Sequence, residues 1–134
     1  MIRLLFVFAV IVINANNYAQ NHYFDWALSE GGNSSDFSFC VASDNSANVY
    51  IIGTFEGTVD LDPGISTDFY TSNGESDIFI QKFNSNGELI WVKQIGGLSG
   101  DYGYSIVADE DGNIYATGNF HLSVDFDPGQ GSHI

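Results

Sequence analysis

Apolar residues recur at every second position between Asp36 and Ser43. Phe37, Phe39 and Val41 alternate with Ser38, Cys40 and Ala42. A period of two is that of a β-strand, whose successive side chains point to opposite faces. The spacing predicts a strand over 36–43, one bulky face and one small, neither charged. The next run, NVYIIGTF (48–55), is apolar on both faces, and a short polar turn joins the two as a hairpin. DIFIQKF (77–83) and GELIWVKQI (87–95) form a second hairpin across Asn84-Ser85-Asn86-Gly87. Between the hairpins stand VDLDPG (59–64) and a longer loop.

The pattern is written twice. Residues 26–64 align without a gap with 91–129, at an offset of 65 residues, and 15 of the 39 positions are identical. Among them are Trp26/Trp91, Gly31/Gly96, Gly32/Gly97, Asp36/Asp101, Asp44/Asp109, Tyr50/Tyr115, Gly53/Gly118, Phe55/Phe120 and the closing phrase VDLDPG/VDFDPG. In the second copy the first turn carries Asp111-Gly112, a strong hairpin signal. A gapless repeat marks one structural unit used again. Strands apolar on both faces need cover on both faces. Small four-stranded antiparallel sheets stacked face to face meet that need, and they are the blades of a β-propeller. Crowding near a central axis accounts for the small face of the first strand. The expected fold is all-β: a β-propeller of four-stranded antiparallel blades. The chain would hold one full blade plus parts of two others. NHYFDWALSE (21–30) aligns with NGELIWVKQI (86–95) and so reads as a fourth strand. On this reading the ring is incomplete and the chain is a fragment or one part of an assembly.

IFIQKFNSNGELIWVKQIGG followed by DYGYSIVADEDGNIYATGNF resembles the SBBP-type β-propeller repeat of exported bacterial proteins. The resemblance covers nearly all of residues 20–134. It implies blade architecture and an extracellular address. It implies no catalytic residues, since fold does not carry function.

Composition narrows the function classes. Seventeen acidic residues face three basic ones, Arg3, Lys82 and Lys93. Such a chain repels phosphate backbones, which sets nucleic acid aside as a partner. Hydrophobic residues make up 44%, so this is not a disordered acidic tail. At the N-terminus, Arg3 precedes the ten-residue apolar run Leu4 to Ile13, then NANNYAQ. That is the layout of a secretory signal peptide over 1–19, cut between Ala19 and Gln20. The run is too short for a membrane span, which needs roughly 20 residues. Its other reading is a buried N-terminal strand. Cys40 is the only cysteine, so no disulfide forms within the chain. A lone cysteine in an exported protein reads as a small apolar residue.

VDLDPG asks whether its aspartates hold a metal. Asp60 and Asp62 share a face opposite Val59 and Leu61, and Asp125 and Asp127 repeat this against Val124 and Phe126. This reads as an edge strand, apolar inward, ended by an Asp-Pro-Gly turn. Asp62 accepts turn N–H groups, and Gly64 supplies a positive φ. Calcium is the competing reading, with DEDGN (109–113) as part of a loop. Its counterpart DNSAN (44–48) lacks two of the acids and the glycine. His22, His121 and His133 lack metal-ligand spacing. The Gly-Gly pairs at 31–32 and 96–97 read as blade-linking turns. No catalytic, cofactor-binding or metal residue is assigned, and no cofactor. The expected role is a non-enzymatic extracellular binding or scaffold module, secreted or at the cell surface. Its expected partners are a protein, a glycan, further propeller blades or a second copy. The alternative is the start of a larger propeller lyase or hydrolase whose active residues lie outside this chain.

Overall fold

A computed structural model describes residues 10–14 and 23–127, with side chains from Asp25 onward. Every regular element among them is a strand. β1 (Val10–Asn14) pairs antiparallel with β2 (Tyr23–Leu28). β3 (Asp36–Ser43), β4 (Val49–Phe55), β7 (Asp77–Phe83) and β8 (Leu89–Ile95) form one four-stranded antiparallel sheet in that order. This is the complete blade. Between β4 and β7 the short strands β5 (Thr58–Asp60) and β6 (Phe69–Thr71) pair with each other, outside the blade. The second unit contributes β9 (Tyr102–Ala108) and β10 (Ile114–Asn119), paired antiparallel. No closed ring forms among the described residues.

The strands of the predicted hairpins lie within a residue or two of their expected places, whereas β6 falls in the connector expected to be a loop. β1 falls inside the apolar run read as a targeting segment. The cut site after Ala19 lies outside the described residues. β2 pairs with β1 and also lays Trp26 against the hairpin of β7 and β8. The Trp26 indole Nε1 donates to Ser85 O at 3.1 Å, and its ring stands 6.2 Å from Phe83. A Cβ on Gly87 would meet that indole at 2.7 Å, and Gly87 has φ +80°. Both facts require glycine there.

The blade buries both faces, as its apolar strands predict. On one face Val49, Ile51, Phe55, Phe79 and Phe83 join Val59 and Leu61 from the connector, with Trp26 and Leu28 packed against them. On the other, Tyr50, Ile52, Ile78 and Ile80 meet Ile106 of the second unit. Gly103 seats that unit, because its missing Cβ would stand 2.7 Å from both Ile52 Cγ1 and Ile78 Cγ2.

The single bulky face predicted for β3 is not what forms. The register passes from Ser38↔Gly53 to Cys40↔Ile52, so Phe39 bulges out of the ladder. Phe37 then pairs with Thr54 and Val41 with Ile51, residues on opposite faces of β4. The second unit repeats the bulge at Tyr104, the matching position. A bulge inserts one unpaired residue and reverses the parity beyond it, which simple alternation does not reveal. Cys40 and Ala42, the small residues, face the second unit, so close packing between sheets explains their size.

Candidate functional site

Each hairpin turn is built around one side chain. Asp44 Oδ1 accepts from the Ser46 and Asn48 N–H groups, both at 2.9 Å. Its Oδ2 accepts from Asn48 Nδ2 at 2.7 Å and from the Tyr50 hydroxyl at 2.9 Å. Asp109 repeats the set with Asp111, Asn113 and Tyr115. Asn84 does the same in the hairpin of β7 and β8, its Oδ1 accepting from the Asn86 and Glu88 N–H groups. The third loop residue is left-handed in all three turns: Ala47 at φ +59°, Gly87 at +80° and Gly112 at +81°. Asn48 holds Asp44's carboxylate at about pH 2, helped by backbone N–H groups and Tyr50. In DEDGN the donors of the turn reach the two carboxylate oxygens of Asp109, one of the three acids that a calcium reading would use.

The repeated Asp36 and Asp101 form a second device. Both are buried at the start of an inner strand. Asp36 Oδ2 accepts from Gly32 N at 2.6 Å, and Asp101 Oδ2 from Gly97 N at 2.7 Å. A Cβ on Gly32 would meet Thr58 O at 2.6 Å, and one on Gly97 would meet Ser123 O at 2.3 Å. The Gly-Gly pairs are therefore linkers between units, as predicted, pressed on the connector and clamped by the aspartate. The sequence signal was the repeated Gly-Gly followed by Asp four residues after the second glycine. His121 lies at the same junction. Its N–H donates to Asp101 Oδ1 at 2.9 Å, and its ring Nδ1 bonds Gly100 O at 2.6 Å. His22 and His133 lie outside the described residues.

In VDLDPG, Val59 and Leu61 are buried as parity predicts, but the phrase is a connector and not a blade edge. Asp60 carries most of it. Its Oδ1 accepts from Asp62 N at 3.1 Å and from Asp68 N at 2.9 Å, closing the loop on itself. Asp62 Oδ1 accepts only the turn's Gly64 N, at 2.9 Å. Gly64 is not left-handed, contrary to expectation. A Cβ there would stand 2.9 Å from Asp62 Oδ1, the end of a side chain that can turn aside. Asp125 repeats the first bond to Asp127 N at 3.0 Å. Pro128 and Gly129 lie outside the described residues.

Sequence reasoning missed Glu30, which sits where the second copy has Ile95. It lines a recess of about 270 Å³ with Asp60 and Asp62. Its Oε2 accepts from Gln81 Nε2 at 2.7 Å, and the same amide donates to Leu61 O at 3.0 Å. Burial pushes Glu30 up to about 7; the Gln81 bond opposes this, and Asp60, Asp36 and Asp62 add to it. Among the described residues, no three His, Cys, Asp or Glu side chains are placed to hold a metal. No helix among them is long and apolar enough to cross a membrane.

The two units differ most in exposure. Tyr50 is 1% exposed and Tyr115 60%; Phe55 is 0% and Phe120 52%. In the first unit β7 and β8 cover these positions: Trp91 lies 6.3 Å from Tyr50, Lys82 Nζ 5.0 Å above its ring, and Phe79 6.5 Å from Phe55. In the second unit Phe120 leans on Phe126 at 5.0 Å. Beside them an apolar recess of about 390 Å³ opens between Ile78, Ile80 and Ile95 and the end of β10.

Residues 90–119, from β8 through β10, match the β-propeller repeat SBBP. The chain is also similar to an uncharacterised WD repeat-containing protein of Acanthamoeba polyphaga mimivirus, with 31% identity over 109 residues. That alignment covers 71% of this chain and 8% of the relative, so the chain spans a small part of that protein's length.

Proposed function

We propose that this chain, which carries a β-propeller repeat over residues 90–119, is a binding or scaffold module whose open faces are covered by further repeat units. The contrast between Tyr50 and Tyr115 carries the reading: one repeat position is sealed under β7 and β8 in the first unit and exposed among the described residues of the second. The covering units belong to the same polypeptide or to a second copy, since both present the same strands. Among the described residues β10 also has an unpaired edge, which invites a β7-like strand. Sedimentation at rising concentration tests this. The chain is expected to associate. A variant extended after its second closing phrase by a copy of residues 65–95 is expected to associate less. A sharply melting monomer without the extension contradicts the reading.

The module is proposed to work outside the cell. Arg3, the apolar run and Ala19 support export. Mass spectrometry of the secreted form is expected to find Gln20 at the new N-terminus. A secreted form retaining Met1 refutes it. Binding of an extracellular protein or glycan follows from this placement.

A further inference from the structure

Where β3 begins, β4 ends and β7 begins, the junction of the two units opens into a cleft of about 510 Å³. Phe37 and Tyr102, which hold the same position in the two copies, stand on its walls. Two carboxylates, Glu56 and Glu75, line it, and among the described residues no lysine or arginine does. Ser76 also lines it. That residue is 7% exposed, and its buried Oγ has no hydrogen-bond partner. A buried hydroxyl left unpaired is costly and calls for a partner. Half-exposed rings extend the wall outward: Phe37 stacks on Phe39 at 6.1 Å, and Phe39 meets the edge of Tyr104 at 5.8 Å. The repeat also breaks here. Glu56 is replaced in the second copy by His121, whose ring is tied to Gly100.

We propose that this cleft binds an organic cation, the guanidinium or ammonium group of a basic peptide side chain. Two carboxylates without a counter-charge favour a cation and repel an anion. Aromatic faces attract it further. A guanidinium presents N–H donors in a planar fork, which suits two carboxylates and a hydroxyl acceptor together. A neutral sugar would also stack on the rings, but it leaves both carboxylates uncompensated. The proposal deepens the binding-module reading and names the ligand class of one site.

The test uses the full chain, ¹⁵N-labelled, titrated with a Gly-Arg-Gly peptide and with the same peptide carrying uncharged citrulline. The arginine peptide is expected to shift the Ser76 and Tyr102 amides saturably, and the citrulline peptide to bind at least tenfold more weakly. E56Q with E75Q is expected to remove most of the difference. If that pair does not fold, E75Q alone is read in its place. Equal binding of both peptides, full binding by the neutral variant, or saturation of the same amides by a neutral oligosaccharide in place of arginine overturns the proposal. Self-association that persists while arginine fails leaves the repeat-module reading standing and removes only this site.

Discussion

At the residue scale, three turns share one design, and only one carries a mismatched residue. Ala47 takes the left-handed conformation that Gly87 and Gly112 occupy in the other two. A Cβ there costs about 1–2 kcal/mol, partly offset because alanine restricts the unfolded chain more than glycine. Ala47→Gly is expected to stabilise the protein by about 0.5–1 kcal/mol, read as a higher urea midpoint at unchanged slope. Asp60 offers the opposite case. Asp60→Ala strands the Asp62 and Asp68 N–H groups and is expected to cost about 1–2 kcal/mol. Asp60→Asn keeps the accepting oxygen and is expected to be milder in the same denaturation series. Glu30 sets a pH dependence. Its folded pKa of about 7 lies above its unaltered value of 4.5, so the unfolded chain ionises first. Stability is fully present below about pH 4.5, falls as pH rises, and levels off above about pH 7. The loss is of order 3 kcal/mol as an upper figure. Burial raises Asp36 as well, with the same sign. Glu30→Gln is expected to flatten the slope of melting temperature between pH 5 and 7.

At the element scale, the bulges and the glycines decide which strands meet. The bulge at Phe39 recurs at Tyr104, so it belongs to the repeat. It turns aromatic side chains toward the junction of the units. Gly103 lets β9 close on β4 and β7. Gly103→Val places atoms against Ile52 and Ile78 and is expected to cost about 1–3 kcal/mol, as overpacking does. The added effect is local: hydrogen exchange is expected to speed in β9 and β10 more than in β4 and β7. Uniform loss of protection across all four strands contradicts that picture.

At the scale of the whole molecule, one repeat position has two fates. Tyr50 packs between Trp91 and Lys82, whereas Tyr115 stands in the open. Tyr50→Lys is expected to destabilise the chain by several kcal/mol, because it buries a charge and leaves a void. Tyr115→Lys is expected to leave the melt nearly unchanged and to weaken self-association, measured by sedimentation. A large stability loss from Tyr115→Lys shows that its face is already covered.

Sequence alone determined the strands, the hairpins and the repeat. Those features rest on period-two alternation, turn residues and gapless identity, all local along the chain. It also predicted cover on both faces of β3 and β4, because neither strand carries a charged row; β4 is buried throughout, whereas Phe37, Phe39 and Val41 of β3 stay exposed. It read the Gly-Gly pairs as linkers, and Val59 and Leu61 as inward. Tertiary structure decided the rest. The bulge at Phe39 follows from the register between two strands, and the phrase around Phe39 gives no sign of it. Gly64 does not take the positive φ that its place after proline suggests, because the turn's conformation is set by how the connector packs. Glu30 acquires its raised pKa from burial and, to a lesser degree, from Asp60, 30 residues distant, against the opposing bond from Gln81, 51 residues distant, all brought together only by the fold. The cleft of Glu56, Glu75 and Ser76 joins the ends of three strands and the start of the next unit. Alternation is a property of one strand, whereas a site is a property of several, and its distances exist only once they pack.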